Sequence, residues 1–180
     1  MIHYSSLETP IGRLLVAKSL FGVCKISLPS ESAGRFFEWL LNHFNRDKIV
    51  KNTESLAIEF QQLDDYFRGK QKIFNLDIDL KETNFRIKTL RAVSTISFGK
   101  TVSYKQIAEG IKNPKAVRAV GSANGSNPIP IIIPCHRIIS NNGTLGGYSG
   151  GLYIKDWLLK HEASHSLHSD LMDSKALLNF

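Results

Sequence analysis

The chain has 180 residues, 42% of them hydrophobic, so it can bury the core of one domain or of two small ones. No stretch approaches the ~20 apolar residues that cross a bilayer, and the first ten residues lack the basic and apolar regions of a secretion signal. With only two cysteines there is no disulfide framework, and we expect a cytoplasmic protein, or a nuclear one in a eukaryote, that does not bind membranes.

The net charge of +7 is unevenly distributed. Residues 1–82 contain 11 Lys and Arg against 11 Asp and Glu, whereas residues 83–162 contain 11 against 3. A basic excess confined to one stretch favours a polyanionic partner, because Lys and Arg that neutralise phosphates release condensed counterions. A basic surface that binds nothing would give the same count, so charge alone leaves both interpretations open.

Three short segments near the amino terminus are predicted to form antiparallel β-strands. They cover residues 2–5, 13–18 and 22–28, and turn residues including Pro10, Gly12 and Gly22 separate them. The third segment alternates in the manner of a half-buried strand, and we expect the Cys24 thiol to face the core.

Two amphipathic helices are predicted next, over residues 33–44 and 54–67, with Gly69 ending the second. Residues 70–81 are polar and irregular, and the charge balance changes there. We therefore predict an N-terminal domain over residues 1–80, a C-terminal domain over 81–165, and a tail, 166–180, to which no structure is assigned.

The C-terminal half is predicted to be mainly helical. Thr83 can cap a helix that Gly99 ends, and the Ser103-x-x-Gln106 capping box opens a short helix to about residue 109. Asn113-Pro114 predicts a further helix over 114–124. Two short helices joined by a tight turn are typical of a helix-turn-helix. A final helix is predicted over 152–161.

The residues that suggest chemistry lie around Cys135. Three prolines and four isoleucines fill the segment 127–134, and a glycine-rich loop follows at 146–151. His136 and Arg137 follow Cys135 directly. A proton acceptor and a cation beside a cysteine form a setting that activates the thiol. For an arbitrary Cys-His pair, a core thiol beside a surface histidine would be the ordinary interpretation; the surrounding prolines, arginine and glycines favour the reactive one.

Several ordered motifs give the chain a family resemblance over about residues 55–162. Pro134-Cys-His-Arg137 resembles the active-site signature of O6-alkylguanine-DNA alkyltransferases, also called methylated-DNA–protein-cysteine methyltransferases. The other motifs that resemble the family in order and spacing are Ser97-Phe-Gly-Lys-Thr-Val-Ser-Tyr104, Ala116-Val-Arg-Ala-Val-Gly-Ser-Ala-Asn124, Asn127-Pro-Ile-Pro130, Gly147-Tyr-Ser-Gly-Gly151, Lys155 and Leu158-Leu-Lys-His-Glu162. The resemblance implies an α/β N-terminal domain with a small antiparallel sheet, followed by a mainly α C-terminal domain with a winged helix-turn-helix-like DNA-binding unit.

The resemblance also implies roles in alkyl transfer. Cys135 would be the nucleophile, His136 would take its proton through a water, and Glu162 would hold the imidazole. Asn127 would fix the turn before the active-site segment, and Tyr104 would donate a proton toward the departing guanine. Taken without the family, Glu162 is an ordinary exposed helix carboxylate and Tyr104 a half-buried tyrosine.

Further residues are implied to contact DNA, because the alkylated base must leave the duplex to react. Arg118 would fill the space of the extruded guanine, on a helix whose small residues could approach the minor groove. The remaining residues implied to contact DNA are Ser103, Tyr104, Ala119, Ser122 and Arg137. Those implied to line the guanine pocket are Pro130, Tyr148 and Ser149, together with the backbone of Cys135 and Ile138.

The expected partner is double-stranded DNA that carries O6-alkylguanine, with O4-alkylthymine as a second candidate, bound by a monomer. No cofactor is needed, since the alkylated base is itself the donor. No zinc is expected, because His3, Cys24 and His43 lack metal-binding spacing. A thioether has no ordinary reductive route back, so each chain would react once.

Two other functions remain as alternatives. A lesion-binding protein without transfer would keep the DNA-binding half but replace the reactive cysteine, and the intact Cys135 and His136 argue against it. A cysteine hydrolase would need an oxyanion hole and a route to turnover, and nothing in the sequence requires either.

Overall fold

The computed structural model describes the backbone of residues 1–176 and the side chains through residue 166. The amino-terminal half contains β1 (Ile2–Thr9), β2 (Gly12–Ser19), β3 (Gly22–Ser27), α1 (Ala33–His43), β4 (Ile49–Lys51) and α2 (Ala57–Phe67), with 3₁₀ turns at Arg46–Lys48 and Glu54–Leu56. The other half contains α3 (Asn84–Ser94), β5 (Val102–Ser103), α4 (Tyr104–Gly110), α5 (Val117–Gly125), a 3₁₀ turn at Cys135–Arg137, β6 (Ile138–Ile139) and α6 (Leu152–Ala176).

The first sheet has the strand order β3-β2-β1-β4. The first three strands form the predicted antiparallel meander, and a fourth strand that was not predicted, β4, pairs with β1 in parallel, so the sheet is mixed. Three residues are too few to show alternation, which is why β4 left no signal in the sequence. The Cys24 thiol faces the core as predicted: it is fully buried and donates to the Ala17 carbonyl.

The sheet separates two apolar cores. On one face, α1 packs Phe36 and Leu40 against Ile2, Ala17 and Cys24. The other face belongs to the main core, which is continuous from the sheet to the C-terminal helices and is represented by Val16, Leu63, Leu90, Val120 and Leu158. The sheet and the helical half are therefore fixed relative to each other by shared apolar burial.

Segment 70–81 joins the halves and packs on the sheet instead of running free. The Val23 N–H donates to the Asp77 carbonyl, and the Asp79 N–H donates to the Val23 carbonyl. Phe74, Leu76 and Leu80 contact the main core, which accounts for their alternation in the sequence.

The capping signals located two helix starts correctly. Thr83 caps α3, and Ser103 and Gln106 form the reciprocal capping box of α4. The predicted start of α5 was wrong: Ala116 is the residue before the helix, and the Ala116 N–H donates to the Asn113 carbonyl, so residues 113–116 form a turn. Helix α3 ends at Ser94, before the predicted Gly99.

The last helix is longer than predicted. It continues past His161 to Ala176, and no glycine or proline interrupts residues 152–176. The tail was left unassigned; residues 166–176 are helical, and 177–180 lie outside the described residues. None of the described helices combines the length and apolarity needed to cross a membrane.

A substitution at Gly22 tests whether the contact between β3 and segment 70–81 stabilises the fold. Its φ of +125° is unfavourable for other residues, and a Cβ there would collide with the Asp77 carbonyl. We expect Gly22→Ala to lower the free energy of unfolding by about 1–3 kcal/mol, measured by urea denaturation. Gly34→Ala in α1 is the matched control, since its Cβ would meet only Ser32 Oγ at 3.8 Å. It should be neutral or stabilising, and an equal loss in both variants would contradict this account.

Candidate active site

The segment that leads to Cys135 is fixed by side-chain amides. Asn127 Nδ2 donates to the Ile133 carbonyl (2.9 Å), and its Oδ1 accepts from the Ile129 N–H (3.0 Å). Asn124 Nδ2 donates to the Cys135 carbonyl (3.2 Å) from α5. These bonds are of the kind expected of Asn127, whose role in the reaction stays a prediction. They also support Ile131, a buried β-branched residue at φ +75°, where such residues are strained.

The amino-terminal sheet also contacts the segment that leads to Cys135. The Ile26 N–H on β3 donates to the Pro128 carbonyl (2.8 Å), and a Cβ at Gly150 in the glycine-rich loop would collide with Leu28. Strand β3 therefore contacts the approach to Cys135, and Leu28, the residue after the strand, lies against the loop that follows Cys135.

The Cys135 thiol is almost completely enclosed, with 1% of the residue exposed. Its Sγ lies 3.9 Å from the Tyr148 hydroxyl. Burial raises the pKa of Cys135, while hydrogen bonds from Asn127 and Tyr148 and the positive charge of Lys155 oppose that rise. The resting group is therefore a thiol, which needs a base to become a nucleophile.

His136 meets the requirements for that base. It is fully buried, and Nε2 lies 2.8 Å from Glu162 Oε1. Burial lowers the pKa of His136, against the opposing effect of Glu162, so the ring is neutral at neutral pH. Because a carboxylate can only accept, Nε2 carries the proton and Nδ1 carries the free lone pair. Nδ1 is buried and has no hydrogen-bond partner among the described residues.

Glu162 receives hydrogen bonds from separate parts of the chain. Besides His136, Arg137 donates from Nε (2.9 Å to Oε2) and Nη2 (2.9 Å to Oε1), the Tyr66 hydroxyl donates from α2 (2.8 Å), and the Gly99 N–H donates from the turn after α3 (2.9 Å). Burial alone would raise the pKa of Glu162, but the hydrogen bonds and charges of His136 and Arg137 outweigh it and lower the pKa from 4.5 to about 2. The carboxylate is therefore ionised throughout the neutral range.

Helix α5 presents a face of mostly small residues to solvent. Arg118, Ala119 and Ser122 are exposed, whereas Val120 and Ala123 are buried against the core. Arg118 is the one long side chain among these exposed residues, and a large partner could reach this face of the helix.

Both halves of the chain match a known protein family. Residues 2–80 match the family described as 6-O-methylguanine DNA methyltransferase, ribonuclease-like domain, and residues 84–164 match its DNA binding domain. The chain belongs to the 6-O-methylguanine DNA methyltransferase family.

Relatives within this family match nearly the whole chain. The constitutive methylated-DNA–protein-cysteine methyltransferase of Bacillus subtilis is 39% identical over 163 residues, which is 90% of this chain and 96% of the relative. The enzyme of Methanosarcina acetivorans is 39% identical over 91% of this chain and 99% of its own. The structure of Mycobacterium tuberculosis OGT in complex with DNA has a TM-score of 0.80 at 36% identity, with coverage of 91% and 94%.

Two residues predicted to contact DNA are turned inward in this family member. Arg137 is buried, binds Glu162, and also donates from Nη1 to the Ile96 carbonyl (2.5 Å), so it is a structural counterion. Ser103 is buried, and its hydroxyl accepts from the Gln106 N–H as the cap of α4. Both predictions were wrong because neither side chain reaches the surface.

The predicted role of Tyr104 as a proton donor stays a prediction. Tyr104 is half-buried at the start of α4, its hydroxyl donates to the Gly147 carbonyl (3.4 Å), and burial raises its pKa, so it retains its proton at neutral pH.

The residues expected around the guanine are only partly brought together. Pro130 and Ser149 line an open cavity of about 210 Å³ beside Asn127, and Tyr148 lies against Cys135. Ile138 is fully buried and does not line this cavity; its carbonyl accepts a hydrogen bond from Lys155. Among the described side chains, no cluster of three or more His, Cys, Asp or Glu could hold a metal ion.

Lys155 is the site residue whose role the sequence analysis missed. It is fully buried on α6, and Nζ donates to the carbonyls of Ile138 (2.5 Å) and Leu145 and lies 5.9 Å from the centre of the Tyr148 ring. Burial lowers its pKa to about 8, against the influence of Cys135. One signal in the sequence was available: Lys155 lies three residues before Leu158 and seven before Glu162. This spacing places all three side chains on one face of a helix.

Glu162→Gln tests the buried ion pairs. The change leaves Arg137 buried without its counterion, so we expect the free energy of unfolding at pH 7 to fall by about 3 kcal/mol. The pKa of Glu162 is lower in the folded protein, about 2, than the ordinary 4.5, so its stabilisation is complete above pH 4.5 and is lost as the pH falls toward 2. Urea unfolding should therefore show the difference from wild type shrinking by roughly half at pH 3.

The matched control is Glu109→Gln, which removes an exposed carboxylate 3.8 Å from Lys105. Exposed pairs contribute at most about 1 kcal/mol, so this variant should resemble wild type. A loss in Glu162→Gln that does not change between pH 7 and pH 3 would show that the carboxylate is not held by charge.

Proposed function

We propose that this protein repairs DNA by direct reversal, moving the alkyl group of O6-alkylguanine onto Cys135, once per chain and irreversibly. One observation carries the proposal: an enclosed thiol precedes a neutral histidine whose Nδ1 is free and whose Nε2 is held by an ionised carboxylate. The relatives named as methylated-DNA–protein-cysteine methyltransferases support this chemistry.

In the proposed reaction a water bridges Cys135 Sγ and His136 Nδ1 and carries the thiol proton to the ring. The imidazolium that forms is stabilised by the Glu162 carboxylate, as in base-and-orienter pairs elsewhere. The sulfur lone pair then forms the S–C bond while the C–O6 bond breaks and guanine leaves with that electron pair. Tyr104 supplies the proton that neutralises the departing base, and solvent restores the tyrosine.

The substrate is proposed to be double-stranded DNA, bound by a monomer through α5. The alkyl group is out of reach in a stacked duplex, so the nucleotide must rotate out of the helix, at a cost of a few kcal/mol. Small exposed residues on α5 let its backbone approach a groove, and Arg118 occupies the space that the base vacates. The M. tuberculosis OGT structure was solved in complex with DNA, which supports DNA as the partner.

Intact-protein mass after mixing with a duplex that carries one O6-methylguanine tests the transfer. We expect a gain of about 14 mass units that saturates at one per chain, because a thioether is not reduced back to the thiol. Cys135→Ser is the acceptor control and Cys24→Ser the matched control, since the Cys24 thiol is buried in the other core.

The gain should vanish in Cys135→Ser and persist in Cys24→Ser. An unchanged wild-type mass with retained duplex binding would identify a lesion-binding protein instead, and many product molecules per chain would identify a turnover enzyme.

Arg118→Ala tests the proposed base extrusion. Without a side chain to fill the vacated space, we expect transfer from duplex DNA to slow by about 10- to 100-fold, which corresponds to about 1.4–3 kcal/mol of the flipping cost. Transfer from a single-stranded oligonucleotide should slow much less, because its bases are already unstacked. Single-turnover rates on the two substrates measure the difference, and an equal loss on both would show that Arg118 only attracts DNA.

A further inference from the structure

The turn between α4 and α5 places a lysine where helices usually end with glycine. The Lys112 N–H donates to the Glu109 carbonyl, and the Asn113 N–H donates to the Ala108 carbonyl, both at 2.9 Å. These two bonds form a Schellman motif in which Lys112 is the left-handed residue, at φ +59°. A side chain in that conformation is strained, and glycine avoids the strain.

Lys112 is exceptional within the part of the chain that the structure describes. The other left-handed positions are glycines, apart from Ile131, whose side chain is buried in the main core. Lys112 is exposed, and its side chain makes no hydrogen bond or ion pair with any described residue. The neighbouring carboxylate, Glu109, pairs with Lys105 instead. Among the described residues, no partner of the Lys112 side chain therefore offsets the strain.

The position of the turn suggests a partner outside the chain that offsets the strain at Lys112. Lys112 lies immediately before residues 113–116 and α5, the helix that presents Arg118. Lys115 in the same turn is also exposed, so two lysines precede the exposed face of α5. The two Schellman bonds fix the backbone at Lys112, so its charge is presented from a rigid turn.

We infer that Lys112 binds a backbone phosphate of the DNA next to the amino-terminal end of α5, and that its left-handed conformation is retained for this contact. The inference rests on the proposed function, since it needs DNA on α5. A phosphate contact of this kind contributes affinity without sequence preference and positions the helix along the duplex.

The test compares stability with salt-dependent DNA binding in the full chain. Lys112→Gly should raise the melting temperature by about 2–4 °C, because glycine relieves the strain. It should also weaken binding to a short undamaged duplex by about eightfold at 0.1 M salt, and reduce the slope of log affinity against log salt by about 0.9. Fluorescence anisotropy over a salt series measures both binding quantities.

Three variants complete the experiment. Lys112→Arg keeps the charge and should keep the wild-type slope, while Lys112→Asn is neutral yet tolerates the left-handed backbone and should behave like Lys112→Gly in binding. Lys48→Gln removes one exposed lysine from the amino-terminal half and should leave the slope unchanged.

Two results would overturn the inference: a wild-type slope in Lys112→Gly, or an equal loss in Lys48→Gln, which would make the effect one of net charge. Failure of the proposed function would look different, because the wild-type chain itself would then neither bind the duplex nor gain a methyl group from the lesion.

Discussion

The buried carboxylate of Glu162 is the interaction on which the rest of the site depends. An ionised group without solvent is tolerated only when its lone pairs are satisfied, and here donors come from the active-site turn, from α2 and from the turn after α3. Satisfying one carboxylate therefore fixes three separate parts of the chain relative to α6. Gly99 contributes because its left-handed turn, at φ +71°, brings a backbone N–H to the carboxylate.

The same arrangement explains how an enclosed cysteine stays unreactive until it is needed. Desolvation keeps Cys135 protonated and keeps His136 neutral, so the resting site holds no exposed thiolate to be oxidised. Glu162 is ionised in advance, and in the proposed reaction it would be the counterion of His136 once the ring accepts a proton. Lys155 adds a buried positive charge near the sulfur that favours the thiolate once it forms. The electrostatic environment is thus complete before substrate arrives.

Local signals in the sequence predicted the elements well, and long-range contacts explain the errors. The capping residues Thr83 and Ser103 located helix starts because a cap involves only neighbouring residues. The motif around Cys135 singled out the residues to which we assign the nucleophile and its base, but the burial of Arg137 depends on a partner 25 residues away. Tyr66, 96 residues from Glu162, had no local signature at all. Sequence pattern thus predicts what a residue can do more readily than which residue it meets.

The amino-terminal half is part of the candidate active site and not an accessory to it. Tyr66 donates to the central carboxylate from α2, and the Ile26 N–H on β3 holds the Pro128 carbonyl in the segment that carries Cys135. That segment contains a strained residue, Ile131, and strain persists only where the surroundings impose the conformation. The sheet supplies part of that restraint. A C-terminal half without the sheet would keep its helices' capping residues and the exposed face of α5, yet lose contacts that position the sulfur. The proposed DNA-binding face and the contacts that support Cys135 therefore lie in different parts of the fold.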